Sequence, residues 1–132
     1  MASTIKLSDE AEQFCHAKFD EMIDSCDGIY GVLMSTVDGH DVTCKFKYDM
    51  PASKLAAMMS SMLALGETVA QEARQNECRF VIVESSDGYL LTLRLGERLI
   101  LTTIAGKNTN LGMLHSVSRS AVEGIAARLR TK

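Results

Sequence analysis

The chain has 132 residues, of which 46% are hydrophobic and 23% charged, with a formal net charge of −3, four Phe, three Tyr and no Trp. That balance offers little to neutralise a phosphate backbone or to stack on bases, so nucleic acid is excluded as the expected partner. A length of this order makes one domain, 1–132 with a core from about residue 8 to residue 130, large enough to fold without a metal or a disulfide.

From Ser8 to Ser25, Ala11, Phe14, Cys15, Met22 and Ile23 recur at helical spacing, with Glu10, Glu12, Gln13, Lys18 and Glu21 mostly opposite. This predicts a first helix, capped by Ser8 or Asp9 and stopped at Asp27-Gly28. Ile29–Thr36 is apolar or small on both faces, with Ile29, Gly31 and Leu33 on one and Tyr30, Val32 and Met34 on the other, which predicts a central strand. Asp38-Gly39 marks a tight hairpin. A second strand is predicted over Asp41–Tyr48; it sets Val42, Cys44, Phe46 and Tyr48 against a wet face of Thr43, Lys45 and Lys47, the pattern of a sheet edge. Pro51 stops the sheet, and Ser53 is the expected cap of a second helix, predicted over Lys54–Gln75. Three strands are predicted next, Arg79–Glu84, Tyr89–Leu95 and Arg98–Ala105, divided by turns at Asp87-Gly88 and Gly96-Glu97. The loop Gly106-Lys107-Asn108-Thr109-Asn110 leads into a third helix, Leu111–Arg130, with a buried stripe of Leu114, Val117, Ala121, Ile125 and Leu129.

The predicted order is αββαβββα, an α/β (α+β) fold. Its five antiparallel strands run 2-1-5-4-3 if the first and fifth, both apolar on two faces, pair at the centre. The third strand then lies on an edge although Phe80, Val81, Ile82 and Val83, after Arg79, are apolar on both faces. Such an edge invites aggregation unless it is covered, and the simplest cover is the same strand of a second copy. A homodimer is therefore expected. On the second helix Leu55, Met59, Met62, Leu63, Gly66, Val69, Ala70 and Ala73 cluster toward the sheet, and Met58 and Leu65 on the flank join Arg79, Phe80, Val81, Ile82 and Val83 in the expected dimer interface. Ala57, Ser61, Ala64, Thr68 and Gln71 point away, flanked by Ser60 and Glu67. A solvent-facing helix side usually carries long charges; this one is small and nearly uncharged, so the backbone of a partner can approach closely.

The stretch from about Gly28 to Arg130 resembles the Roadblock family of dynein light chains and bacterial GTPase regulators. GIYGVLMSTVDGHDV, the Ala/Met/Leu-rich second helix, and CRFVIVESSDGYLLTLRLGERLILTTIAGKNTNLGMLHSV carry the resemblance, above all the run strand–DGYL–strand–LG–strand–loop–Asn110-Leu111-Gly112. It implies a profilin-like sheet with the second helix on one face and the first and third on the other. It also implies homodimers joined through the third strand and second helix, and a Ras-like small GTPase docked on the paired helices. Ala57, Ser60, Ser61, Ala64, Glu67, Thr68 and Gln71 are the expected contacts. The protein itself is then not an enzyme, at most a modulator of the GTPase. A small-molecule sensor of similar outline, or a pure scaffolding subunit, is the alternative.

No other constellation carries chemistry. Gly106-Lys107-Asn108-Thr109 looks like the end of a phosphate loop, but Leu101 stands where such a loop needs Gly, and Asn108 replaces Ser or Thr. No cofactor is expected. His16, His40 and His115 lie on different elements; His40 and Cys44 share a strand face but lack a second pair of ligands, so no metal is expected. No nucleophile context exists, and Arg94, Arg98 and Arg119 read as solvated or salt-bridged, so no catalytic residue is expected. Cys15, Cys26, Cys44 and Cys78 form no C-x-x-C pair and read as small hydrophobes. The opening MASTIKLSDE lacks a signal-peptide core, Ala2 removes N-myristoylation, and no apolar run reaches the roughly 20 residues of a membrane helix. The expectation is a cytoplasmic protein with no membrane partner.

Overall fold

The computed structural model describes residues 5–130; Ala2 and the two ends of the 1–132 span lie outside the described residues. α1 spans Asp9–Ser25, and Ser8 caps it by accepting the Ala11 N–H at 3.1 Å. β1 (Ile29–Thr36) and β2 (Asp41–Phe46) form a hairpin, followed by α2 (Ala52–Glu72), β3 (Phe80–Ser85), β4 (Gly88–Leu95), β5 (Leu99–Gly106) and α3 (Leu111–Arg130). The five strands pair antiparallel in the order β2-β1-β5-β4-β3, as the sequence predicts.

Two cores of unequal size lie on the two faces of the sheet. α1 and α3 bury Phe19, Met22, Leu114 and Ile125 against Val32, Met34, Leu91 and Leu101. At about 1.5–3 kcal/mol per fully buried large apolar side chain, this larger core dominates stability. On the opposite face α2 contributes Met59 and Leu63, packed on Ile100 with Val81, Val83 and Leu90 at the margin. Buried hydroxyls pair with each other: Thr92 with Thr102 at 2.9 Å within the sheet, and Ser118 of α3 donating to Thr103 of β5 at 2.9 Å.

Several boundaries and faces differ from expectation. β2 ends at Phe46, two residues before Tyr48. α2 begins at Ala52 because the Leu55 N–H already donates to the Pro51 carbonyl at 2.9 Å. Ser53 therefore sits in the first turn and is not the cap. The helix stops at Glu72, short of Gln75, because Arg74 turns left-handed at φ 61°. β3 begins at Phe80, so Arg79 precedes it; β4 gains Gly88, and β5 is Leu99–Gly106, without Arg98. A β-bulge between Ile29 and Gly31 breaks the alternation and turns Ile29 into the larger core beside Val32 and Met34. The face of β2 read as wet is crossed by α1: Thr43 is buried there, donating to Glu12 at 3.1 Å and bonded to His16 at 2.7 Å, and Lys45 pairs with Asp20 at 2.9 Å. Phe19 and Ser118 are buried beyond the predicted stripes.

Gly88 opens β4 where its strand meets the end of β5, pairing with Gly106. A Cβ at Gly88 would stand 2.1 Å from the Ala105 carbonyl oxygen, a backbone atom that cannot step aside. Gly88→Ala is therefore expected to cost about 2–4 kcal/mol in urea unfolding. A loss below about 1 kcal/mol would show that the turn re-forms around the methyl group.

Candidate functional site

Four of the seven exposed large hydrophobic side chains among the described residues lie on α2, beside β3. Only Ala56, Met59 and Leu63 of α2 are buried. Met62 and Val69, expected against the sheet, are instead 37% and 57% exposed, next to Met58 at 55% and Leu65 at 60%. Residues 58, 62, 65 and 69 are spaced four, three and four apart, so they form one apolar stripe along the helix. α2 lies over the edge of the sheet: a Cβ at Gly66 would stand 2.8 Å from the Cys78 thiol and 3.2 Å from Val81, so only glycine lets the helix settle this close to β3.

β3 ends the sheet and has only β4 as a neighbour. Val81 and Val83 face α2, and Phe80 and Ile82 face the larger core, where Phe80 packs on the His115 ring at 4.5 Å. All four remain half-buried, and Arg79 is exposed just before the strand. An open groove of about 580 Å³ runs between α2 and the sheet, lined by Leu55, Met58, Met62, Val83 and Leu90 with no ionisable side chain. The expected seam residues Met58, Leu65 and Phe80–Val83 are thus brought together, with Arg79 exposed at the head of the strand, and Met62 and Val69 lie exposed beside them.

Of the seven residues expected on the docking face, five share it: Ala57, Ser61, Ala64, Thr68 and Gln71 are all exposed. Ser60 and Glu67 are drawn sideways by bonds of their own. The Ser60 hydroxyl donates to the Val37 carbonyl on the β1–β2 turn. The Glu67 carboxylate accepts the Cys78 N–H at 3.1 Å and an Arg94 N–H at 3.2 Å. Both positions lie about a quarter-turn from the buried side of the helix, the only sign in the sequence that they serve a different purpose.

The Cys78 N–H, ahead of the Arg94 guanidinium, holds the Glu67 carboxyl below the ordinary glutamate value of 4.5. A depressed native pKa contributes stability that is complete above the unfolded value. It is lost as pH falls through the native one, because the unfolded chain takes up its proton first. The melting-temperature difference between wild type and Glu67→Gln is therefore expected to be present at pH 7 and to close below about pH 4.5. It should also shrink with salt, since the pair is partly exposed. A difference that persists unchanged at pH 3 would assign the effect to something other than the charge.

The remaining candidates resolve into structural roles. In the Gly106–Asn110 loop, the Gly106 N–H donates to Gly28 and the Thr109 N–H to Gly106. Asn110 caps α3 by accepting the Met113 N–H at 2.9 Å. Arg94 pairs with Glu67, and Arg119 bonds His115 at 3.3 Å. Burial pushes the Cys15 thiol up to about 11, and raises those of Cys26 and Cys44. Among the described residues no group of three or more His, Cys, Asp or Glu is placed to hold a metal, and no helix is long and apolar enough to cross a membrane.

Solved structures of the same architecture are known. An MglB in a tetrameric arrangement superposes with a TM-score of 0.88 at 15% identity, over 96% of each chain. Myxococcus xanthus MglB gives 0.85 at 16% identity, over 97% of this chain and 96% of that one. A Roadblock/LC7 domain from Streptomyces avermitilis gives 0.78 at 18% identity, over 84% and 93%. No curated protein matches the chain by sequence. At these identities the structures share the fold. The model of the Roadblock/LC7 domain matches residues 19–105, from the second half of α1 to the end of β5, and the chain therefore belongs to the Roadblock/LC7 family.

Proposed function

We propose that this chain is a single-domain, non-enzymatic, cytoplasmic regulator. It pairs with a second copy through β3 and α2, and the pair binds a Ras-like small GTPase on its two α2 helices. The observation that carries the reading is the division of α2 into two adjacent stripes. Met58, Met62, Leu65 and Val69 lie exposed beside the free edge of the sheet. A contiguous exposed apolar stripe of this kind supports an interaction site. A second copy covers it and the β3 edge together. The other stripe, Ala57, Ser61, Ala64, Thr68 and Gln71, is then left free on each helix. Small side chains lose little rotamer entropy on burial and let a partner come near. Two such helices supply a surface on the scale of a standard interface, about 800 Å² per partner. Membership in the Roadblock/LC7 family supports a GTPase as that partner. The chain would act on hydrolysis by positioning the groups of the GTPase, since Arg94 and Arg119 are engaged within this protein.

The test begins with light scattering on the protein alone, where a dimer is expected at micromolar concentration. Each Ras-like GTPase of the source genome, loaded with GDP or with a non-hydrolysable GTP analogue, is then titrated into it. One is expected to form a complex of two copies of this chain and one GTPase, because a two-fold surface meets an asymmetric partner once. Binding by none of them would end the reading. GTP turnover with and without this chain then separates an activator from a scaffold.

A further inference from the structure

The tip of the β1–β2 hairpin lies against the N-terminal half of α2, on the flank opposite the Met58–Met62 stripe. The approach is backbone to backbone: Gly39 holds φ +98°, and a Cβ placed there would stand 3.4 Å from the Ala57 Cα. The tip is clamped through both backbone groups of Val37. The Ser60 hydroxyl donates to the Val37 carbonyl, and the Val37 N–H donates to the Arg98 carbonyl at 2.9 Å. Within the turn, Gly39 N–H donates to the Thr36 carbonyl at 3.0 Å, His40 N–H to the Thr36 hydroxyl at 3.0 Å, and that hydroxyl to the Asp38 carboxylate. Hairpin and helix therefore present one rigid surface. On the tip itself the Val37 side chain, 39% accessible, the Asp38 carboxylate and His40 are exposed toward solvent. Asp38 is held ionised by the Thr36 hydroxyl first, then by its own backbone N–H, with His40 and Arg98 adding to it.

We propose that this hairpin tip is the outer wall of the docking surface, with Val37 as an apolar contact and Asp38 as a fixed negative charge for a cationic side chain of the GTPase. Ser60 is the positioning residue that brings both to the helix. The proposal rests on the GTPase reading above. Pairing two α2 helices through their apolar stripes leaves each hairpin on the outside, because the tip and the stripe occupy opposite flanks. The floor between seam and wall is Ala57, Ser61, Ala64 and Thr68, without a charge, and an uncharged floor discriminates poorly among partners. A charge on the rim adds steering and register. One already fixed by a hydrogen bond gives up little freedom when it pairs.

The experiment compares Val37→Ser, Asp38→Asn and Ser60→Ala with Ala64→Arg, which blocks the floor. Asn keeps the turn, since Asn-Gly suits a tight hairpin as well as Asp-Gly. The probe is the tightest-binding GTPase of the source genome, loaded with a non-hydrolysable GTP analogue. Asp38→Asn is expected to weaken binding about fivefold at low salt, chiefly through the association rate, with the effect gone at high salt. Val37→Ser is expected to weaken it by about threefold, and Ser60→Ala by about as much as the Val37 and Asp38 changes together, with Ser60→Thr restoring it. Dimer mass should stay as in wild type, and the melting temperature should fall only by the few degrees that loss of the Thr36–Asp38 or Ser60–Val37 bond costs. Wild-type affinity in all three hairpin variants, with Ala64→Arg reduced at least tenfold, overturns the wall and leaves the helical floor standing. Wild-type affinity in Ala64→Arg as well ends the GTPase reading of this face, and the wall with it. Loss of the dimer or of cooperative folding in the hairpin variants would give the tip a folding role and overturn its role in contact.

Discussion

A Met62→Glu/Leu65→Glu variant is expected to run as a 14.4 kDa monomer at micromolar concentration, where the proposed pairing has the wild-type chain run as a dimer. Both side chains are exposed on the single copy, Leu65 at 60%, so the folded monomer should lose little, within about 0.5 kcal/mol per site. In the proposed pair the same positions would face the apolar stripe of the second copy. Carboxylates buried there without partners cost several kcal/mol, and about 4 kcal/mol is roughly a thousandfold in dissociation constant. Sedimentation velocity on the variant, with its melting curve as control, reads both quantities. A variant that stays dimeric places the seam elsewhere, with the second free edge, β2, as the next surface to examine.

Ala64→Arg is expected to leave the dimer and its melting temperature nearly unchanged while weakening GTPase binding at least tenfold, or about 1.4 kcal/mol. Ala64 is exposed between Ser61 and Thr68, and the Thr68 hydroxyl donates to its carbonyl at 3.3 Å. A long cation here disturbs no buried contact of the single chain. It would hold a partner's backbone several ångströms away, where the small side chains would otherwise admit it. Calorimetric titration measures the loss. Unchanged affinity with an intact dimer would move the partner to another face, most directly the α1 and α3 side.

The kind and order of the elements were legible because the signals are local. Period-two and period-3.6 patterns and the Gly and Pro breaks place all three helices and five strands, and β1 and α3 have the predicted bounds. The order β2-β1-β5-β4-β3 follows from apolar residues on both faces of two strands, which only the centre of a sheet satisfies. Local pattern also groups Ala57, Ser61, Ala64, Thr68 and Gln71 on one side of α2. Where each stripe points is another matter, since it depends on how the helix is set on the sheet. Gly66 lets α2 slide over the β3 edge, and this turns Met62 and Val69 out to solvent although their spacing suits a core. The one-residue bulge at Ile29 exchanges its face, and α1 lies across the lysine side of β2. Ser60 and Glu67 take partners 23 and 27 residues away in Val37 and Arg94. Periodicity determines which residues share a face; only packing between distant segments decides what that face meets.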